Sequence, residues 1–243
     1  MIKTIGYGIF FYLYLFRIIP HYFKIKKLEL QGDKEKHIEA IRNITFKWGN
    51  VLLKMAKVKL NIKGLENIPS GPVLFVSNHQ SNFDIPIYFA ALDKQFGFIA
   101  KSDLSKIPLF NKWIAIIKSV YIDRGDARQS LKAIQEGIDL LKTGYSLVIF
   151  PEGTRSKSSK MSEFKKGSLR LATKSKVPVV PITLNGSYKI LEENNRIQSA
   201  SVDFIIHKPI ETKNLSKEEA NNLSETVYNI ISNTLNDLLK EKQ

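Results

Sequence analysis

Four short apolar runs set the strongest limit on how this chain can fold: Val73-Leu74-Phe75-Val76, Phe96-Gly97-Phe98-Ile99-Ala100, Leu147-Val148-Ile149-Phe150 and Val177-Pro178-Val179-Val180-Pro181-Ile182. Each is too brief for a buried helix, and helical patterns lie between them. Residues 34–57 carry Ile38, Ile41, Trp48, Leu52 and Met55 at helical spacing. Asp126 caps a second pattern with Leu131, Ile134, Ile138 and Leu141 on one face, and Gly144 stops it. A third helix is expected around Gly167–Lys176. Ser216-x-x-Glu219 is a capping box that opens a last one, with Leu223, Val227, Ile231, Leu235 and Leu238 inward. Val58, Leu60 and Ile62 alternate with polar residues as a half-buried strand, and Val120–Ile122 and Val202–Ile206 add two more. Strands alternating with helices predict an α/β fold with a mostly parallel central sheet flanked by helices.

Ahead of this α/β domain (residues 58–243), residues 1–57 read as an N-terminal helical region that anchors to a membrane. Thr4 to Phe16 carries no charge, and Tyr7, Phe10, Phe11, Tyr12, Tyr14 and Phe16 give it the aromatic load of an interface belt. Lys3 and Arg17 close the run before the roughly 20 apolar residues a full span requires, and Pro20 and His21 interrupt its extension to Phe23. Lys24, Lys26 and Lys27 then suit anionic head groups on the cytoplasmic side. The expectation is an uncleaved anchor dipping into one leaflet, with a single-pass helix as second choice; no small-residue cleavage site marks a signal peptide.

Composition narrows the chemistry. Lys and Arg number 37 against 23 Asp and Glu, a net +14 spread along all 243 residues, which favours anionic partners. No Cys is present, so disulfides, thiolate nucleophiles and cysteine metal sites are excluded. The four His (21, 37, 79 and 207) lack ligand-like spacing, and no metal site is expected.

Chemistry-bearing residues cluster where the apolar runs end, at the sheet edge where parallel α/β folds bind ligands. After the first run comes Asn78-His79-Gln80-Ser81-Asn82-Phe83-Asp84. On a continuous helix, residues five apart stand roughly 140° round the axis, whereas a turn lets Asp84 curl back onto His79. A carboxylate then holds one ring nitrogen and leaves the other to take a proton. A structural His beside a helix-capping Asp is the plainer alternative. Lys101, Arg124 in Ile122-Asp123-Arg124, and Arg155 in Phe150-Pro151-Glu152-Gly153-Thr154-Arg155-Ser156 supply cations for a phosphate. Gly153 permits a tight turn through which Thr154 and nearby amides approach the same anion.

The order His-x4-Asp, Ile-Asp-Arg, Phe-Pro-Glu-Gly-Thr-Arg-Ser and Val-Pro-Val-Val-Pro-Ile resembles the glycerolipid acyltransferase family, in particular its bacterial 1-acylglycerol-3-phosphate acyltransferase type, over about Lys63 to Ile210. That resemblance implies transfer of a fatty acyl group from acyl-CoA or acyl carrier protein to lysophosphatidic acid, giving phosphatidic acid, with no cofactor beyond the thioester co-substrate. His79 would be the base and Asp84 its orienting acid. Arg155 and Lys101 would hold the acceptor phosphate with Arg124 close behind. Glu152 would accept from a glycerol hydroxyl or fix its loop, and Val177–Ile182 would shape the acyl slot. The rival readings are another lysolipid or glycerol 3-phosphate as acceptor, a thioesterase using the same pair on water, and a non-catalytic basic binder of membranes. No nucleic-acid module is recognisable, which makes nucleic acid the weakest of the anionic partners.

Overall fold

The computed structural model describes residues 2–123, 125–165 and 167–241. Seven strands form one sheet: β1 (Val58–Lys63), β2 (Leu74–Ser77), β3 (Phe96–Lys101), β4 (Val120–Ile122), β5 (Ser146–Ile149), β6 (Val179–Asn185) and β7 (Ala200–Ile206), in the order β1-β7-β6-β2-β5-β3-β4. Strands β6, β2, β5, β3 and β4 run parallel, whereas β7 is antiparallel to β6 and carries β1 parallel beside it. The expected α/β architecture is therefore present, with two reversed strands at one side. The central strands read as unbroken apolar runs because helices cover both of their faces.

Helices α1 (Ile2–Arg17), α2 (Ile19–Leu30), α3 (Lys34–Met55), α4 (Asp84–Ala91) and α5 (Phe110–Ile116) share one hydrophobic core with one face of the sheet. On the other face lie α6 (Ala127–Lys142), α7 (Arg170–Ser175) and α8 (Lys217–Lys240). The Asp126 cap and the Ser216–Glu219 capping box both form. Leu131, expected inward, is exposed. The buried stripe of α6 runs instead through Ala133, Gly137, Ile138 and Leu141. Small residues let this helix lie close to its neighbours, and a Cβ on Gly137 would come within 2.6 Å of Leu171 Cδ2. The helix expected around Gly167–Lys176 shortens to α7.

Pro20 does not end the N-terminal helix as expected. Only Ile18 separates α1 from α2, and Pro20 falls in the first turn of α2, where a missing N–H goes unnoticed. The segment Ile2–Leu30 is thereby long and apolar enough to cross a membrane. One side of it docks on the domain: Tyr7 packs on Phe83, Phe11 on Trp48 and Phe110, and Tyr22 on Trp113. The opposite side leaves Ile2, Ile5, Ile9, Tyr12, Leu13, Phe16, Phe23 and Leu30 exposed, an apolar stripe of helical period.

Helices α3 and α4 approach backbone to backbone at Gly49, where an added Cβ would stand 2.6 Å from Pro86 O and 2.9 Å from Ala90 N. Gly49→Ala is expected to lower unfolding stability by about 1–3 kcal/mol in urea titration, since overpacking outweighs the gain of up to about 1 kcal/mol in helix propensity.

Candidate active site

The carboxyl ends of the parallel strands converge on the turn that follows β2. Asn78 continues the β2–β6 pairing with its side chain, donating to Leu184 O at 2.8 Å and accepting from Leu184 N at 2.8 Å. His79 comes next, and the chain turns so that Asp84 N donates to Ser81 O at 3.2 Å. Asp84, at the first position of α4, thus reaches back to His79, and its Oδ2 lies 2.7 Å from Nδ1. The same oxygen accepts from Gln80 N (2.8 Å) and Ser81 N (3.0 Å), while Oδ1 accepts from Ser187 Oγ at 2.5 Å. With the carboxylate fully buried and acting as acceptor, Nδ1 carries the proton and Nε2 presents a lone pair. Nε2 has no protein partner among the described residues. The imidazole stacks on Phe150 with ring centroids 4.1 Å apart, which fixes its plane, and its side chain keeps 18% exposure.

The loop after β5 closes round this pair. Gly153 takes φ +77°, a left-handed turn that favours glycine. Ser156 N donates to His79 O at 2.8 Å. Glu152 is buried, and its two carboxylate oxygens accept from His79 N at 2.6 Å and Ser162 N at 2.7 Å. Burial pushes the Glu152 carboxyl above the ordinary range, against the pull of those backbone donors. Of the two roles expected for Glu152, this geometry is that of a loop brace. Arg155 donates through Nη1 to Glu192 at 3.0 Å, and Thr154 is exposed.

His79, Asp84, Glu152, Gly153 and Arg155 are therefore gathered by one turn and one loop. Lys101 ends β3 exposed, and its ion pair is with neighbouring Asp103 rather than with any member of this cluster. Arg124 lies outside the described residues. Of the Val177–Ile182 run, Val179–Ile182 lies in β6, buried between β2 and β7. The apolar cavity is elsewhere, an 80 Å³ space between α1, α3, α4 and α5 walled by Leu15, Ile18, Trp48, Ile85, Phe89 and Trp113. Sequence reasoning missed Gln80, Ser187 and Glu192. Ser187 and Glu192 meet the turn across more than a hundred residues, and the only local cue was the position of Gly186-Ser187 at the end of a strand. His207 meets Thr183 Oγ1 through Nε2 at 2.8 Å, and burial lowers its basicity.

A mostly parallel α/β sheet with an oriented His–Asp pair and a cationic loop at its carboxyl edge is an arrangement able to do general-base chemistry. The family model described as Acyltransferase matches residues 59–185. The chain is 42% identical over 156 residues to the chloroplastic 1-acyl-sn-glycerol-3-phosphate acyltransferase LPAT1 of Arabidopsis thaliana, covering 63% of this chain and 44% of that protein. To a probable 1-acyl-sn-glycerol-3-phosphate acyltransferase of Mycoplasma pneumoniae it is 35% identical over 198 residues, covering 76% of this chain and 74% of that one. The crystal structure of the 1-acyl-sn-glycerophosphate acyltransferase PlsC from Thermotoga maritima superposes with a TM-score of 0.78 at 30% identity, over 97% of each chain. The chain spans about half the length of the plant chloroplast relatives it matches. The chain belongs to the acyltransferase family.

Glu152→Gln tests the brace. An amide offers one acceptor where two backbone N–H groups need one each, and it turns an N–H towards the second. The variant is expected to lose at least tenfold in turnover and to unfold at a lower urea midpoint, because losing one charge-assisted bond costs about 1.5–3 kcal/mol.

Proposed function

We propose that the protein transfers a fatty acyl group from an acyl thioester to the 2-hydroxyl of 1-acylglycerol 3-phosphate, producing phosphatidic acid. One observation carries the reading: the His79–Asp84 pair at 2.7 Å, with Nε2 left without a protein partner at the sheet edge. The names of the relatives support the acceptor. Either acyl-CoA or acyl carrier protein serves as co-substrate, and no cofactor takes part.

In this mechanism Nε2 removes the proton from the 2-hydroxyl, and the alkoxide attacks the thioester carbonyl. The C–O bond forms, the C–S bond breaks, and the imidazolium returns its proton to the departing thiolate. The proton path needs no covalent acyl-enzyme. Asp84 fixes the tautomer and balances the imidazolium as it forms. Proton transfer by a positioned base contributes about 10²–10⁴-fold, so alignment of the two substrates supplies the rest. Arg155 holds the acceptor phosphate, with the Gly153–Thr154 amides beside it. The acyl chain enters the apolar cavity. Ile85 in its wall directly follows Asp84, so a chain lying there brings its carboxyl end towards the base.

The exposed stripe on α1 and α2, with exposed Lys24, Lys26 and Lys27 beyond it, suits a segment lying in one leaflet of an anionic membrane on its cytoplasmic face. There the enzyme meets its lipid substrates without extracting them.

Purified protein given lysophosphatidic acid and a labelled acyl thioester is expected to yield phosphatidic acid. His79→Ala should reduce kcat by at least 10³-fold with the acceptor KM little changed, and Asp84→Asn should approach the same loss. Thioester hydrolysis that is independent of acceptor would overturn the reading. Replacing Ile9 and Phe16 by Glu should reduce partition onto anionic vesicles roughly 100-fold in a sedimentation assay, since two apolar side chains then leave the interface.

A further inference from the structure

Glu192 follows the single turn Ser187–Ile190 and, although it is a carboxylate on a surface segment, its side chain is only 4% exposed. Oε1 accepts from Asn82 N at 2.9 Å and from Arg155 Nη1 at 3.0 Å, and Oε2 accepts from Ser81 Oγ at 2.5 Å. One acid therefore ties the turn that carries the His–Asp pair to the loop that carries the arginine. The chemistry proposed above has no step for it, yet burying a carboxylate costs several kcal/mol unless it is paired.

Its effect on Arg155 follows from guanidinium geometry. The group is planar, with five N–H donors in fixed directions, on a long stem with many rotamers. Glu192 occupies the Nη1 edge. Nε and Nη2 have no protein partner among the described residues, and the side chain is 30% exposed. Anchoring one edge of a rigid plane sets the direction of the other. The bond from Ser156 N to His79 O holds the loop that carries Arg155 against the turn that carries the base.

We infer that Glu192 is a positioning residue for the anionic acceptor: it orients Arg155 so that the opposite edge of the guanidinium meets the phosphate while the 2-hydroxyl faces His79. This rests on the reading of lysophosphatidic acid as acceptor. The positioning role predicts a selective effect, since the thioester donor makes no use of Arg155.

The test is steady-state kinetics on full-length wild type, Glu192→Ala, Glu192→Gln, Arg155→Ala and the Glu192→Ala/Arg155→Ala double variant, varying lysophosphatidic acid and acyl thioester separately. Glu192→Ala should raise the acceptor KM about tenfold and leave the donor KM within about twofold, the size expected for losing one charge-assisted bond. Glu192→Gln, which keeps an oxygen for Asn82 N and Arg155 but no charge, should fall between, and it serves as the variant of record if the alanine protein does not fold. In the Arg155→Ala background the alanine change should add nothing to the acceptor KM. An unchanged acceptor KM, a lowered one, a parallel rise in both KM values, or full additivity with Arg155→Ala would each overturn the inference. Wild type inactive on lysophosphatidic acid would instead remove the functional reading on which it stands.

Discussion

A carboxylate with no solvent contact must be met by donors, and the region round Asp84 is shaped by that requirement. Four groups aim at its two oxygens: the ring of His79, two consecutive backbone amides and the hydroxyl of Ser187. Left unpaired, such a group would be destabilising by several kcal/mol. The amides of Gln80 and Ser81 can both point at it only if the chain curls tightly between β2 and α4. That curl is what carries the imidazole to 2.7 Å. The catalytic geometry and the solution to a burial problem are the same turn.

The turn is also held from outside. Gln80 Oε1 accepts from Gly186 N at 2.9 Å, Ser187 reaches Asp84, and Glu192 takes the backbone of Asn82. All three contacts come from the segment that leaves β6, possible because β6 lies beside β2 in the sheet. A few residues further on, Ile197 N donates to Thr4 Oγ1 at 3.0 Å, and Tyr7 of α1 packs on Phe83, the neighbour of Asp84. The apolar N-terminal helix therefore docks at the edge of the sheet where the base sits, not at the opposite end. A lipid approaching along that helix arrives where the chemistry is proposed to occur.

Local patterns carried much of this into the sequence. The apolar runs, the helix caps at Asp126 and Ser216 and the return of Asp84 onto His79 depend on residues within a few positions of one another, so spacing alone reveals them. What spacing hides is side-chain traffic across the sheet. Ser187 and Glu192 are ordinary polar residues until β6 is known to lie beside β2. Leu131 shows a second blind spot: an apolar stripe marks a helix face, but Ala133 and Gly137 shift the buried face by letting the helix approach closely. The Val177–Ile182 run was legible as a strand, but apolar character does not distinguish a wall that faces a cavity from one packed on both sides. Pro20 misled for a different reason. A proline stops a helix in its interior but not in its first turn.

The charge balance gains a structural meaning from the same contacts. Several of the scarce acids join one element to another. Asp84, Glu152 and Glu192 hold the turn and loop of the site together, and Asp93 takes Arg42 of α3 at 2.6 Å. Glu29 of α2 binds both Lys26 and Lys118, which hold its carboxyl down to about 2. The net +14 is an excess of lysine and arginine over acids along the whole chain. Such a field draws anions of every kind and fades within about 8 Å at physiological salt. It can concentrate anions near the protein but cannot tell them apart. Discrimination has to come from within the site, from a guanidinium held in one direction beside an imidazole held in one tautomer, and both of those constraints are imposed by buried carboxylates.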